Sequence, residues 1–315
     1  MLRFYEFSDS FTKLGFCTAT IANGFFIYLT LFHIRRITGT YKLMVLTFAV
    51  LGITLSGWEL IARPFVHNFN KGFVFFSLND WMPPGPGTER FLQFSLAVYA
   101  GFYAVLLAFI AVQFLFRMAT LTRNSDFSKK FGGFGVLAWS GYSLGIGGVY
   151  GGSLMILTAP DNYSDAYFKE EILKTYQLAI QEVPRFIAIP YGSNGSFRWL
   201  NLSFLITGCL LFGLQYLIIL YCGIQMRQKI QKEIQNFSAL HQKLQKQFFR
   251  ALVVQTFVPT ILFILPATPV LLTPLLDIEM SLQSGGMYAL LSLYPPIDSL
   301  AFMMIVSEYR KIIKG

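Results

Sequence analysis

The sequence predicts an all-α membrane protein, a seven-transmembrane helical bundle. Three observations predict it. Hydrophobic residues make up 54% of the 315 and charged residues only 13%, about half the charged share of an ordinary soluble domain; mean hydropathy is +0.53. Seven long apolar stretches recur, each close to or above the roughly 20 residues that a helix needs to cross the hydrocarbon core. The short loops between them carry basic residues mainly on alternate sides.

The stretches run Phe11–Ile34, Leu43–Ile61, Phe91–Leu115, Phe131–Leu157, Trp199–Gln225, Ala251–Leu272 and Gly285–Val306. In lipid the backbone must satisfy its own hydrogen bonds, so spans this long and apolar are helices. The first is longer than a signal-peptide core and has no small-residue cleavage site, which makes it an anchor. The fourth is glycine-rich, with Gly141–Gly145, Gly147–Gly151 and Gly148–Gly152 at the spacing that lets helices approach closely. Internal packing of that helix and a homo- or heterodimer face are both open readings. The fifth and sixth extend past the membrane as amphipathic turns, because Ile230, Ile234, Phe237, Leu240 and Leu244 recur at helical spacing. The sixth carries Pro259, Pro266 and Pro269, which remove backbone donors and commonly kink a helix. The longest loop, about 158–198, is too short to bury a core of its own, so residues 1–315 are read as one membrane domain.

Charge orients the bundle. Sixteen of the 25 Lys and Arg lie in the loops Arg35–Lys42, Arg117–Lys130 and Arg227–Arg250 and in the tail, against only Asp126, Glu233 and Glu308. The remaining nine are diluted by twelve carboxylates on the other side. The basic side is the cytosolic one, so the amino terminus is outside and the carboxyl terminus inside. The same asymmetry accounts for the net charge of +9 without nucleic acid as a partner; the membrane lipid itself is the counterpart. Two glycosylation sequons, Asn162-Tyr-Ser and Asn194-Gly-Ser, fall on the outer side. Cys17, Cys209 and Cys222 all lie in spans, so no disulfide pins an outer loop.

No enzyme is indicated. His33, His67 and His241 lie in separate regions, with no metal-ligand spacing and no carboxylate pair set for acid–base work; no metal or cofactor is expected. A small-solute transporter would show an internal repeat between two halves, and seven spans do not divide so. A ligand-gated channel with its amino terminus inside is the other alternative, and the charge asymmetry opposes it.

Three segments resemble one family in their wording and order: Gly39-Thr40-Tyr41-Lys42 followed by the run from Arg63 to Ser77, the run from Lys246 to Pro266, and the run from Leu293 to Lys311. Together they are similar to the nematode seven-transmembrane chemoreceptors of the Str type, over nearly the whole chain. The resemblance implies a G-protein-coupled receptor on the plasma membrane of sensory cilia, detecting a small odorant and signalling to a heterotrimeric G protein. One departure stands out: the third helix ends Gln113-Phe114-Leu115-Phe116-Arg117-Met118, keeping the arginine of the family's His-Phe-x-Tyr-Arg-Tyr type run without its aromatic hydroxyls.

By analogy with receptors of this shape, the ligand pocket is expected between the outer halves of helices three, five, six and seven. Orientation along each span selects Val98, Tyr99, Phe102 and Tyr103, then Ser203 and Thr207, then Phe263 and Tyr288. Aromatic walls with a few hydroxyls suit a small neutral molecule; packing is the plainer reading of each residue taken singly. For activation and coupling the candidates are Asn23, Arg117, Lys243, Lys246, Pro259, Pro266 and Asp298. Asp298 lies deep in the seventh span, where a carboxylate is costly, and Asn23 of the first helix is its expected partner. Arg117 reads as a G-protein contact or as an interfacial anchor. Glu59 stands four residues before Arg63, the spacing of an ion pair that snorkels to the interface. In the tail only Ser307 and Tyr309 could accept phosphate, so phosphorylation-dependent desensitisation is expected to act weakly on this chain or to work through the second inner loop, at Thr120, Thr122, Ser125 and Ser128.

Overall fold

A computed structural model of the chain describes residues 4–35, 37–121, 129–233, 239–283 and 290–314. Thr122, Ser125, Ser128 and Tyr288 lie outside the described residues, as do the side chains of Lys243, Phe263 and Pro266.

The spans are built from helices α1 (Phe4–Phe32), α2 (Gly39–Ala62), α3 (Pro86–Leu121), α4 (Gly135–Leu157), α6 (Trp199–Glu233), the pair α7 (Ala239–Pro259) and α8 (Leu265–Leu275), and α9 (Tyr294–Ile305). Between α7 and α8 lies a π-helical turn, Thr260–Ile264, which follows Pro259. A π-bulge beside a proline is a recognised cause of a sharp bend, and the axes on either side, Gln245–Leu262 and Ala267–Leu275, differ by 58°. Among the described residues four helices are long and apolar enough to span a membrane by composition, or five with the bent pair counted as one. Helix α4 has the length, at 23 residues, but its glycines, serines and tyrosines lower its hydropathy. Helix α9 is described for 12 residues only.

Helix α3 is the axis of the bundle: 83% of its most apolar stretch is buried, against 33% for α1 and for α6. Helix α4 lies against it backbone to backbone. A Cβ added at Gly147 would meet the Gly101 carbonyl oxygen at 2.8 Å, and one at Gly151 would meet that of Ala97 at 2.6 Å. Gly141, Gly145, Gly148 and Gly152 have nothing within 4 Å of an added Cβ. The glycine pattern is therefore two stripes: 147–151 serves internal packing, while 141–145 and 148–152 face outward.

The helical expectation holds, with a sheet added to it. The fold is mostly helical but carries a four-stranded antiparallel sheet at the end of the bundle opposite Arg117 and the start of α7. Its order is β3-β2-β1-β4, from β1 (Pro64–Phe69), β2 (Gly72–Ser77), β3 (Arg185–Ala188) and β4 (Leu282–Gln283). Strands β1 and β2 form a hairpin whose two-residue turn, Asn70-Lys71, puts Asn70 at φ +50°, a conformation that asparagine tolerates better than most side chains. Alternation sorts the side chains. Val66, Phe73, Phe75, Phe186 and Ala188 point into the main core; Phe65, Val74, Phe76 and Ile187 form a second core with Phe168, Ile172 and Tyr176 of helix α5 (Asn162–Tyr176). Arg185 of β3 clasps Asp165 of α5 through two bonds of 2.8 and 2.6 Å, with both side chains largely buried. Sheet and helix thus make a two-layered cap. The three cysteines are unpaired, and the loop that carries α5 and β3 is fastened by strand pairing instead.

After α9 the chain turns at Val306 into α10 (Ser307–Ile313), whose Tyr309 is fully buried and shares a 2.7 Å hydrogen bond with Thr30. Ser307 donates from both its amide and its hydroxyl to Gln247 of α7, at 3.2 and 3.1 Å. The tail is part of the packed bundle.

Candidate functional site

Under the cap lies a cavity of about 80 Å³. The sheet contributes Val66, Phe73 and Phe75; α3 contributes Tyr99, Ala100 and Tyr103; α4 contributes Tyr150 and Leu154, and α6 contributes Phe204. Ala267, Val270 and Leu271 of α8, with Leu291, complete the wall. The hydroxyls of Tyr99 and Tyr103 are 2.8 Å apart, one helical turn from each other on α3, and give the apolar chamber a polar spot.

Of the expected pocket residues, Tyr99 and Tyr103 are here. Val98 and Phe102 are not: they turn outward with Gly148 and Gly152 to line an open groove between α3 and α4. Ser203 is exposed and Thr207 is half-buried outside the cavity wall. The face of α6 is set one residue later, by Phe204, whose ring stacks on Tyr150 at 5.7 Å. Helical phase explains both corrections. A span hydrophobic all round carries no stripe that says which face turns inward; the close α3–α4 contact through Gly101 and Gly147 decides it. Sequence reasoning missed the sheet residues because the sheet itself was not foreseen. Tyr150, an aromatic with a polar tip in an otherwise glycine-rich helix, was the visible signal for α4.

Deeper in the bundle, Asp298 is buried and accepts a 3.0 Å bond from Gln255 of α7. Asn23 is not its partner. The Asn23 amide oxygen accepts from Ser299 at 2.5 Å, and its nitrogen donates to the carbonyls of Ala19 and Pro295 at 2.9 and 3.4 Å. Asp298 and Ser299 are about 100° apart on the helix, so neighbours in sequence serve different helices: α9 is tied to α1 through Ser299 and to α7 through Asp298. Glu59 also departs from expectation. Its carboxylate is buried and accepts from the hydroxyls of Ser292 and Thr12, while Arg63 pairs with Asp80. Arg63 ends α2 in the left-handed conformation at φ 37°, which carries its side chain off the helix face that Glu59 occupies. Pro259 ends α7 at the π-turn, where Thr260 shares a 2.8 Å hydrogen bond with Tyr216 of α6.

At the opposite end from the cap, Arg117 is buried. Its guanidinium carbon lies 3.2 Å from the ring centre of Tyr41 and 4.3 Å from that of Phe248, with the two rings edge to face at 5.0 Å. This is a cation–π clasp between α2, α3 and α7, and the interfacial-anchor reading does not fit a side chain so enclosed. Lys246, one residue before Gln247 on α7, is exposed. Helix α6 reaches Glu233 and α7 starts at Ala239; the residues between lie outside the described set.

On the cap, Asn162 and Asn194 are both exposed. Asn162 is the first residue of α5, and the hydroxyl of Ser164 in its sequon is engaged in the capping box with Asp161. Asn194 sits in a turn, with Gly195 at φ +76°, and its side chain accepts from the Ser196 amide at 3.1 Å. Among the described residues no group of three or more His, Cys, Asp and Glu is placed to hold a metal ion.

The sequence model described as "Serpentine type 7TM GPCR chemoreceptor Str" matches residues 8–314. The chain is 38% identical over 310 residues to the G-protein coupled receptor str-33 of Caenorhabditis elegans, covering 97% of this chain and 89% of that one. It is 26% identical over 282 residues to serpentine receptor class r-10 of the same species, with coverages of 87% and 80%. To the G-protein coupled receptor str-217, also of Caenorhabditis elegans, it is 24% identical over 314 residues, covering 96% of this chain and 88% of the relative.

Proposed function

The chain belongs to the Str family of serpentine seven-transmembrane chemoreceptors, a multi-pass membrane receptor and not an enzyme, and from that premise we propose that it detects a small, neutral, volatile odorant in the cavity beneath the cap. The cavity carries this reading. The sheet forms one side of it, its wall is almost wholly apolar, and its 80 Å³ is below the roughly 150 Å³ of an apolar cavity that takes up benzene. A charged or large ligand has no place there, because an unpaired charge is costly to bury in such a wall.

The amino terminus and the cap face outward and the carboxyl terminus faces the cytosol, an orientation supported by the basic loops at the end opposite the cap. At that end the exposed Lys246 and neighbouring Lys243 form the surface that meets a heterotrimeric G protein, with the buried Arg117 acting behind it through the clasp that joins α2, α3 and α7, and the receptor acts on the plasma membrane of a sensory cilium. Asn23, Asp298 and the bend at Pro259 and Pro266 lie along the route between cavity and coupling surface.

The experiment is calcium imaging of cells expressing the chain across a panel of small volatile compounds, with Ala100→Phe to fill the cavity and Lys243→Glu with Lys246→Glu to reverse the coupling surface. Both variants are expected to lose the response at normal surface expression. An intact response in Ala100→Phe refutes the cavity, and an intact response in the double variant refutes the coupling surface. An amino-terminal tag reached by antibody only after permeabilisation reverses the orientation.

A further inference from the structure

Two voids are stacked along the bundle. Below the cavity under the cap lies a smaller one of about 20 Å³. The elements that wall the first wall the second farther from the cap: α3 with Ala100 and then Leu107, α6 with Phe204 and then Phe212. The bent pair follows suit with Val270 of α8 and then Ile264 of the π-turn, and the last span with Leu291 and then Tyr294. About two helical turns separate each of the α3 and α6 pairs, which sets the voids on the order of 10 Å apart. Among the described residues Tyr103 alone lines both. It is buried, and a helical side chain leans toward the start of its own helix, which for α3 is the cap end. Its hydroxyl accordingly meets that of Tyr99 at 2.8 Å, with the two rings edge to face at 5.2 Å. The ring of Tyr103 is thus both the floor of the first cavity and the roof of the second, and Tyr99 pins it.

Resting on the reading of the first cavity as the odorant site, we propose that Tyr103 is a specificity-determining residue: its ring sets the greatest length of ligand that the receptor accepts, and it closes off a second apolar void that longer homologues would otherwise fill. A ligand in the first cavity touches this ring directly, since Tyr103 is part of the wall. Forcing extra methylenes into a packed interior is destabilising, so a homologue one or two carbons too long for the floor is rejected. Beyond the floor the space is lined by Leu107, Ile110 and Phe212, which favour an alkyl tail. With the ring gone, the same added carbons gain burial in place of a clash. The sheet and α4 decide what fits across the cavity, and Tyr103 decides what fits along it.

The test uses the full receptor in cells with two homologous series: methyl n-alkyl ketones from methyl ethyl to methyl octyl, and primary alcohols from butanol to decanol. In the wild type at least one series is expected to gain potency with length and then to stop at a sharp limit. Tyr103→Ala is expected to move that limit about two to four carbons longer, with potency rising about fourfold per methylene past the old limit. Tyr103→Leu, a milder truncation, is expected to move it by about one carbon and serves if the alanine variant fails to reach the surface. Ile110 lines the second void and not the first, so Ile110→Phe added to Tyr103→Ala is expected to return the limit to its wild-type length. A core merely loosened by truncation would go on accepting the longer chains. A wild type that answers no member of either series, or all lengths alike, overturns the proposal. So does a limit that stays fixed in a surface-expressed Tyr103 variant, or one that Ile110→Phe does not restore. If Ala100→Phe abolishes every response while the limit stays fixed in Tyr103→Ala, the cavity stands and Tyr103 alone is refuted. If Ala100→Phe leaves the response intact, the cavity reading itself has failed.

Discussion

At the cap end of the bundle, four separate links join the cap to α8 and the segment after it: Asn68 to the Val270 carbonyl, the Tyr191 hydroxyl to the Leu275 carbonyl at 2.8 Å, Lys71 to Asp277 at 3.0 Å, and the Met280 amide to the Asn70 carbonyl at 2.9 Å. Behind them lie a sheet buried on both faces and a second small core. At the opposite end, α3 and α7 meet around one guanidinium wedged between two rings, and among the described residues neither Nε nor Nη2 of Arg117 has a hydrogen-bond partner. The closure at the cap is redundant, so removing one exposed member such as Lys71 changes little. The opposite closure depends on a shared group. The proposed function, binding beneath the cap and signalling at the opposite end, calls for this asymmetry, because a signalling end must have a second arrangement only a few kcal/mol away.

The comparison is most severely tested at the buried ion pair of the cap. Arg185 and Asp165 bury each other, and Arg185→Leu leaves a carboxylate enclosed without its partner, a change that costs about 3–5 kcal/mol in such sites. Loss of most surface-expressed receptor is expected, scored by antibody to an outer tag; near-normal expression would show that α5 and the sheet hold without this clasp. A smaller effect is expected at the opposite end. Phe248→Leu removes one ring from the clasp and leaves Arg117 in place. At about 0.5–2 kcal/mol for such a contact, basal signalling is expected to rise about two- to thirty-fold at matched expression. Basal output at or below wild type would show that the clasp does not restrain the resting state.

The smallest effect concerns acid. His67, on the outer face of the sheet, shares a 3.0 Å hydrogen bond with Tyr176 and lies 3.4 Å from Glu171. Burial holds its imidazole below the ordinary value of 6.5, with Glu171 opposing the shift. The unfolded cap therefore takes up the proton first, and the stability that neutral His67 allows is complete above about pH 6.5 and declines as the pH falls below it. Limited proteolysis of the cap is expected to be modestly faster at pH 5.5 than at pH 7.5, with the difference reduced in His67→Phe. Equal pH dependence in the two proteins would assign it to another group.

Much of the helical framework is written in the chain, since a lipid-spanning segment must be long, apolar and self-bonded. The residues of the sheet were equally visible, but their signal was of another kind. Residues 65–69 and 72–76 read as one aromatic-rich run around Asn70-Lys71, broken by His67 and Asn68 and without the alternation that marks a half-exposed strand, because both faces of this sheet are covered. A run of that length is ambiguous by periodicity alone, and only the arrival of α5 on one side and the bundle on the other makes it a sheet. The cavity was half legible for a related reason. Tyr99 and Tyr103 carry hydroxyls that mark an inward face, whereas Ser203 and Phe204 compete for the same face of α6 with nothing local to choose between them.

The sequence by itself determined the class, most of the long helices and the charge asymmetry, because each follows from composition over twenty or so neighbouring residues in an apolar solvent. Partnerships were decided only in three dimensions. Asn23 bonds to Ser299 and not to Asp298, Glu59 to Ser292 and not to Arg63, and Asn68 to a carbonyl that a proline 206 residues away leaves bare. The physical reason is the same in each case. A buried polar group must find a partner at hydrogen-bond distance, and which one lies at that distance is fixed by helix rotation and close backbone packing, quantities that depend on the whole bundle at once.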